Sequence, residues 1–457
     1  MLKKRIIAST LSLLLLLPLA QISNTFSVQA TTETPVKSIT RIQGNDRFKT
    51  SVEIAKKVFP DDTTLDNVVL TSGYDFPDGL SGSTLAKKLN APILMAGSLS
   101  NSQDVLNYIY AHLKQNGNVY ILGGTGAVSK DTEDTLNNKG YNVIRLAGQD
   151  RIETNNAIIT SLNTTERTPV FIANAYSFPD ALSASSIASI NGYPILLTAA
   201  NSLSSLIKDQ LSKINPLTVY IVGGTGVVSS DVESSIKTLL PSSSVQRISG
   251  ANRFETSMNA FKTFNLDTTN LVLASGLDFP DALCGSQLAA KLNASIVLAD
   301  ENNLDTQQVE YNNKGISNFY ILGGTGAVSG NAEDAISFDK DTEILNIQNA
   351  LNTFYDGFNQ EDVNKVLSVV SPEAYSTFDS LPEYFNLLNE HYMTITNNII
   401  SINITSLTYN TCIIICSLKT TSMCYSNGVT NSYTSPVKAT LIKTNGKWYL
   451  THMPTRI

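Results

Sequence analysis

Apolar residues come in short runs along most of this chain, and the runs alternate with helical patterns. NVVLTS (Asn67–Ser72) predicts a strand and PDGLSGSTLAKKLN (Pro77–Asn90) a helix. Ile93–Met95 predicts a second strand core, Gln103–Gln115 a second helix and Val119–Leu122 a third strand. Runs of four or five apolar residues without polar alternation suit strands covered on both faces. Strand–helix alternation predicts a parallel sheet with right-handed crossovers, so the stretch reads as a Rossmann-like α/β layer of about four strands.

The same pattern returns twice, carrying four motifs in fixed order. RIQGNDRFKTS (Arg41–Ser51) returns as RLAGQDRIETN (Arg145–Asn155) and RISGANRFETS (Arg247–Ser257). YDFPDGLSGS (Tyr74–Ser83) returns as YSFPDALSAS (Tyr176–Ser185) and LDFPDALCGS (Leu277–Ser286). APILM (Ala91–Met95) returns as YPILL (Tyr193–Leu197) and, less closely, as ASIVL (Ala294–Leu298). VYILGGTGAVS (Val119–Ser129) returns as VYIVGGTGVVS (Val219–Ser229) and FYILGGTGAVS (Phe319–Ser329). Such self-similarity marks a tandem repeat. It divides the chain into a module at 38–140, a second at 141–241 and a third at 242–339, with an unrepeated tail at 340–457.

The start of the chain has another character. Lys3, Lys4 and Arg5 precede an apolar run, Ile6–Leu19, and Val28-Gln29-Ala30 supplies small residues at a cleavage position. Residues 1–30 read as a secretory signal peptide, shorter in its apolar run than the ~20 residues of a membrane span, with a linker at 31–37. Cleavage after Ala30 would remove three positive charges and move the net charge from −7 to −10. The expectation is an exported, acidic protein with no membrane segment after cleavage and no nucleic-acid partner. Four cysteines, Cys284, Cys412, Cys416 and Cys424, are too few for a disulfide scaffold in 457 residues.

The repeated motifs hold little catalytic chemistry. Gly123-Gly124-Thr125-Gly126 follows a strand and precedes a helix, as a phosphate loop does. It lacks both the G-x-G-x-x-G spacing and a G-K-[ST] ending. The alternative is a packed turn, with Ser129, Ser229 and Ser329 capping the next helix and Glu133, Glu233 and Glu333 in its first turn. In the F-P-D motif, Pro77, Pro179 and Pro280 fit a first helical turn, Asp75, Ser177 and Asp278 are cap candidates, and Asp78, Asp180 and Asp281 favour the helix start. The other reading of these aspartates is a buried contact to Arg47, Arg151 or Arg253, which recur in register. His112, His391 and His452 are the three histidines, and none belongs to a repeat. No metal, cofactor or histidine-based catalysis is expected in the modules.

With these residues in view, R[IL]xGxxR[FI]xT, FPDAL, PILL and VYI[LV]GGTGAVS together resemble the cell-wall-binding repeat type 2 of clostridia and related Gram-positive bacteria. The resemblance implies three modules around a pseudo-threefold axis, anchoring an exported protein non-covalently at the cell surface. The implied partner is an anionic wall polysaccharide or teichoic-acid-like polymer. The family's I-L-L motif is linked to anchoring and maps onto Ile93, Leu94 and Met95, Ile195, Leu196 and Leu197, and Ile296, Val297 and Leu298. The third copy departs, with Ser295 where Pro92 and Pro194 stand. A strand of a parallel sheet would be apolar at these positions in any case. Linked weak sites on one chain raise avidity by ~10²–10⁴, which suits an anchor better than a catalyst. Residues 31–340 carry 30 acidic and 23 basic residues, so an anionic ligand requires a local basic groove. Arg47, Arg151 and Arg253, with Arg41, Arg145 and Arg247, are the candidates, and they are equally placed to be partners of the module carboxylates.

The tail reads as helices over 344–370 and 381–389, then strands over 394–404, 409–418, 433–443 and 447–452. Thr444-Asn445-Gly446 fits a hairpin turn. This order, ending in GKWYLTH, resembles the NTF2-like (SnoaL-like) α+β cone, a fold that encloses a pocket. His452, His391, Tyr433 and Asp356 are candidate polar groups there. Cys412 and Cys416, ~13 Å apart along one strand, cannot bridge; Cys416 and Cys424 would bridge only across a turn.

Overall fold

In the computed structural model of the chain, the described residues are 37–457, apart from Asn265, Asp267 and 425–427 and the side chains of residues 305, 391, 393 and 424. The signal peptide read at 1–30 and the linker as far as residue 36 lie outside the described residues. Strand β1 (Ser38–Ile42) leads into α1 (Arg47–Val58). There follow β2 (Leu65–Ser72), α2 (Pro77–Leu89), β3 (Ile93–Ala96), α3 (Gln103–His112), β4 (Leu113–Leu122), α4 (Lys130–Asn138) and β5 (Asn142–Leu146). The second round is α5 (Arg151–Leu162), β6 (Val170–Asn174), α6 (Pro179–Asn191), β7 (Ile195–Thr198), α7 (Ser205–Ile214), β8 (Thr218–Val222), α8 (Ser230–Leu239) and β9 (Ser244–Ile248). The third is α9 (Arg253–Thr263), β10 (Asn270–Ser275), α10 (Pro280–Leu292), β11 (Ser295–Ala299), α11 (Leu304–Asn313), β12 (Asn318–Leu322) and α12 (Gly330–Ser337).

These strands form three four-stranded parallel sheets, ordered β3-β2-β4-β5, β7-β6-β8-β9 and β11-β10-β12-β1. The sequence repeat and the sheet are therefore out of phase. A boundary at 140/141 or 241/242 separates β5 or β9 from the sheet it completes. The third sheet is completed by β1, from the start of the chain, with Ile39 opposite Phe319 and Arg41 opposite Ile321. The outer edges at β3, β7 and β11 are covered from the helices beside them. Ser51 Oγ, Asn155 Oδ1 and Ser257 Oγ accept from the N–H of Met95, Leu197 and Leu298 at 3.1, 3.0 and 2.8 Å. A covered edge offers no template for further strand pairing.

Helices α2, α6 and α10 pack pairwise at the centre. Each begins with Pro at its first position, and α2 and α10 end on a left-handed asparagine, Asn90 or Asn293. Their small residues are buried nearly all round: Ala181, Ser183, Ala184, Ser185 and Ala188 in α6 show the pattern. A Cβ on Gly79 would lie 2.7 Å from Leu283 of α10, so the helix backbones approach as closely as glycine allows. The buried hydroxyls bond backward to carbonyls, as Ser185 to Leu182 and Ser286 to Leu283.

Phe338 and Asp339 alone join α12 to the tail. There α13 (Lys340–Gln360), α14 (Val363–Leu367) and α15 (Leu381–His391) precede β13 (Tyr392–Leu407), β14 (Thr411–Cys424), β15 (Thr430–Thr444), β16 (Lys447–Leu450) and β17 (Thr455–Arg456). The antiparallel order is β13-β14-β15-β16, with β17 on β15. Three register shifts in β13 bend the sheet around the helices. Buried Glu343, in the first turn of α13, accepts from Trp448 Nε1 at 2.5 Å and Lys443 Nζ at 2.7 Å, tying helix to sheet. Cys412 and Cys416 are buried free thiols. The turn that a Cys416–Cys424 bridge requires does not exist: β14 runs straight through both positions, roughly 27 Å apart at strand rise.

Candidate functional site

The repeated motifs converge where the parallel strands end. β2, β6 and β10 run into the F-P-D turns, β4, β8 and β12 into the glycine turns, and β1, β5 and β9 into the arginine motif. At the centre, Phe76, Phe178 and Phe279 form a triangle with ring centroids 5.6, 6.1 and 6.1 Å apart, marking an approximate threefold axis. The phenylalanines escaped the sequence reading, although Phe precedes Pro-Asp in all three copies.

Arg47, Arg151 and Arg253 surround this triangle. Each is the first residue of a helix, placed there by a capping Asp46, Asp150 or Asn252. A cation at a helix N-terminus is opposed by the macrodipole, so it needs other partners. Nη1 of each donates to the carbonyl closing its own sheet: Gly73 at 2.8 Å, Ala175 at 2.8 Å and Gly276 at 2.6 Å. Each guanidinium then reaches over a phenylalanine of the preceding module: Arg47 over Phe279, Arg151 over Phe76 and Arg253 over Phe178, 5.8–5.9 Å from the centroid. Arg47 Nη2 donates to Asp278 Oδ2 at 3.2 Å, and Arg151 Nη2 to Asp75 Oδ2 at 3.4 Å. At the third position the acid is replaced by Ser177. Tyr74, Tyr176 and Leu277, each more than half exposed, stand beside these groups.

Asp75 and Asp278 do not cap α2 and α10 in the way their spacing suggests. The cap position falls on Phe76 and Phe279 in helical conformation, without a side-chain cap bond. One carboxylate oxygen takes the next N–H, at 2.9 Å in both, and the other is held by the neighbouring module's arginine.

The other arginine of each motif is bound differently. Arg145 donates to Glu133 at 2.6 Å and to the Gly123 carbonyl at 2.8 Å, and Arg247 to Glu233 at 2.7 Å and the Gly223 carbonyl at 2.7 Å. Arg41 makes the same pair with Glu333 at 2.7 Å and Gly323 at 2.8 Å, across the ring closure. Arg145 holds the Glu133 carboxyl below its usual range; Lys237 and then Arg247 do so for Glu233. These arginines are partners of module carboxylates.

The glycine turns are packed turns. Gly123, Gly223 and Gly323 have φ of +98°, +105° and +86°, and a Cβ there would meet Asp78, Asp180 or Asp281 at 2.2, 2.7 and 2.1 Å. A carboxylate already fills the concavity that a phosphate would need. Burial, and then Asp75 or Asp278, pushes Asp78 and Asp281 up to about 6 against the pull of Arg151 and Arg47. Asp180 is raised by burial, opposed by a bond from Thr256 and by Arg253. Ser129 and Ser229 cap their helices through Thr132 and Val232 N–H. Ser329 makes no cap bond, because its N–H and hydroxyl both go to Glu301.

Ile93, Leu94 and Met95, Ile195, Leu196 and Leu197, and Ile296, Val297 and Leu298 fill β3, β7 and β11 at 0–2% exposure. Their side chains present no surface to a polymer in this arrangement, so any influence on binding runs through the fold.

In the tail, a hollow of about 530 Å³ opens between the end of α13, α15 and the concave sheet. Phe354, Phe358, Leu418 and Val437 line its apolar part, and Tyr355, Tyr384, Tyr433 and Arg456 its polar part. Arg456 donates to the Tyr433 hydroxyl at 2.6 Å. Of the candidates named above, Tyr433 lines the hollow. Asp356 instead pairs with Lys365 at 3.7 Å, and His452 bonds Thr451. The His391 side chain lies outside the described residues. Among the described residues no group of His, Cys, Asp and Glu is arranged to hold a metal, and no helix is long and apolar enough to cross a membrane.

Comparison with known proteins gives this geometry a context. The model of the family "Cell wall binding domain 2 (CWB2)" matches residues 41–133, 145–233 and 247–333. N-acetylmuramoyl-L-alanine amidase LytC of Bacillus subtilis (strain 168) is 34% identical over 296 residues, 64% of this chain and 56% of that protein. The amidase enhancer of the same organism is 29% identical over 299 residues, 65% of this chain and 40% of its own. The chain spans about half the length of these curated relatives. Among solved structures, Cwp8 from Clostridium difficile aligns with a TM-score of 0.60 at 29% identity, over 66% of this chain and 51% of that one. Cwp6 from the same organism aligns with a TM-score of 0.56 at 27% identity, over 66% and 48%.

Proposed function

Because the chain belongs to the cell wall binding domain 2 (CWB2) family, we propose that its three modules act as one non-covalent anchor, exported through residues 1–30 and holding an anionic wall polymer at the face around Phe76, Phe178 and Phe279. The observation that carries this reading is the ring of partly exposed Arg47, Arg151 and Arg253 on an otherwise acidic assembly, with exposed Tyr74 and Tyr176 beside it. Aromatic faces and guanidinium groups together suit a glycan bearing negative charges. The anchor itself is read as non-catalytic.

Sedimentation with isolated Gram-positive walls tests it, before and after acid stripping of secondary polymers and across a salt series. Binding lost on stripping and weakened by salt supports a polymer anchor. No binding to intact walls overturns it.

A second reading concerns the tail, whose helices and bent antiparallel sheet fit an NTF2-like cone displayed by the anchor. The hollow of about 530 Å³ falls in the range of small-ligand sites. In this reading the tail binds a small ligand or acts on one at the cell surface. Thermal stabilisation of the chain by members of a small-molecule panel, lost on Arg456→Ala, supports it; identical stabilisation in Arg456→Ala overturns it.

A further inference from the structure

The three arginines around the axis are alike in backbone and in their phenylalanine contact, Arg151 lying also over Tyr176 at 4.7 Å, and they differ in charge environment. Arg47 faces Asp278 and Arg151 faces Asp75. Arg253 covers Phe178 at the same 5.8 Å, but the residue before Phe178 is Ser177. Among the described residues no carboxylate forms an ion pair with Arg253. Asp180 lies near enough to feel its charge, yet that carboxylate is packed against Gly223 and bonded by Thr256. Asp78 and Asp281 occupy the same place in the other two clefts. Each of those clefts thus sets one arginine against two acids, and the cleft between the second and third modules sets one against one.

We propose that the Arg253–Ser177 cleft is the anion subsite of this face, the one place where a phosphate or carboxylate group of the ligand meets a guanidinium with an open edge. The proposal rests on the anchor reading for its polymer, while the subsite itself is defined by charge and geometry. An anion at Arg47 or Arg151 would have to displace Asp278 or Asp75. At Arg253 it meets the Nη2 edge, with Ser177 at the chain position where the other clefts carry an aspartate. A charge-assisted contact of this kind is about twice as strong as a neutral one. The other two arginines hold neighbouring modules together, so the symmetric ring has one asymmetric contact point.

Two measurements on the full chain test the subsite. In the first, inorganic phosphate and, separately, acetate are titrated while the Nε–H signals of Arg47, Arg151 and Arg253 are followed by NMR. The Arg253 signal is expected to move, and to stop moving in Ser177→Asp, with Arg47 and Arg151 unaffected. A stronger response to phosphate points to a phosphodiester of the polymer, and a stronger response to acetate to a uronic-acid-type carboxylate. Equal movement of all three arginines, or of none, overturns the proposal.

The second measurement is wall sedimentation of Ser177→Asp, Arg253→Gln and Arg151→Gln. The first two should weaken binding about tenfold, and the third less than threefold. Ser177→Asp should melt no lower than the parent chain, which separates lost binding from lost folding. Ser177→Asp bound as tightly as the parent overturns the subsite even though the anchor stands. Failure of the parent to bind walls, with the Arg253 response intact, sinks the anchor reading and supports the anion subsite.

Discussion

Each repeat carries two arginines six residues apart, and the fold sends them to opposite settings. Arg145, on β5, is 16% exposed and locked to Glu133 and the glycine turn, an arrangement copied by Arg247 and, through ring closure, by Arg41. Arg151, at the start of α5, is 27% exposed at the axis and holds Asp75 at 3.4 Å. The first arginine organises a turn within one sheet. The second touches the neighbouring module and solvent. Equal charge and equal periodicity therefore say nothing about role until the partners are known: a carboxylate on the helix that follows the glycine turn makes a clamp, and a position over another module's aromatic ring makes a surface.

The largest expected effect comes from the turn that the clamp holds. Gly123→Ala places a methyl group 2.2 Å from Asp78 at a φ of +98°, and should lower stability by about 3 kcal/mol or more, read as a drop in melting temperature. Gly124→Ala and Gly126→Ala meet no atom within 4 Å and should stay within about 0.5 kcal/mol of the parent. Equal losses at Gly123 and Gly124 would break the packed-turn account.

Next come the arginines. Arg145→Ala leaves a part-buried Glu133 and the Gly123 carbonyl without their partner, and should cost about 2–4 kcal/mol. Arg151→Ala removes the bond to the Ala175 carbonyl and the ring contacts, but its ion pair is a long contact at an exposed carboxylate, so it should cost less, about 1–2 kcal/mol. Arg41→Ala sharpens the comparison. Its contacts match those of Arg145, but it also pins β1 to β12. Hydrogen exchange should show protection lost over Ser38–Ile42 in that variant while β5 and β9 keep theirs.

Much of this was legible in the residues. Fixed-order motifs gave three α/β modules, and apolar runs placed β2, β3 and β4. The clamps were half legible, since Arg145 and Glu133 recur together but spacing cannot say whether they meet. The phase of the sheets was missed for a physical reason. A repeat drawn from its first conserved-looking residue begins with the arginine motif, whereas a sheet ends with it. The third glycine turn has no arginine motif after it, and the first arginine motif has no glycine turn before it; joining these two loose ends is ring closure. The aromatic triangle was illegible because it exists only between modules. Helices α2, α6 and α10 likewise look weakly amphipathic in sequence, since partners surround them on every side.

A pH dependence sets the clamp against the axis. Asp78 and Asp281 have carboxyls raised to about 6 in the fold, against an unfolded value near 3.9. Between roughly pH 4 and 6 the folded chain holds more protons than the unfolded one, so stability falls as pH rises through that window and is level above it. Glu133 and Glu233 act in the opposite sense. Their carboxyls are lowered, so their contribution is present above the unfolded value near 4.3 and is lost as pH falls further. Stability should therefore peak near pH 4. The double variant Asp78→Asn, Asp281→Asn should flatten most of the decline from pH 4 to 6 and melt higher than the parent at pH 7.5, by an amount worth roughly 1–2 kcal/mol per aspartate. Asp180, also raised by burial, should leave a smaller decline; one that survives the double substitution in full would place its origin elsewhere in the ring and remove the aspartates from the argument.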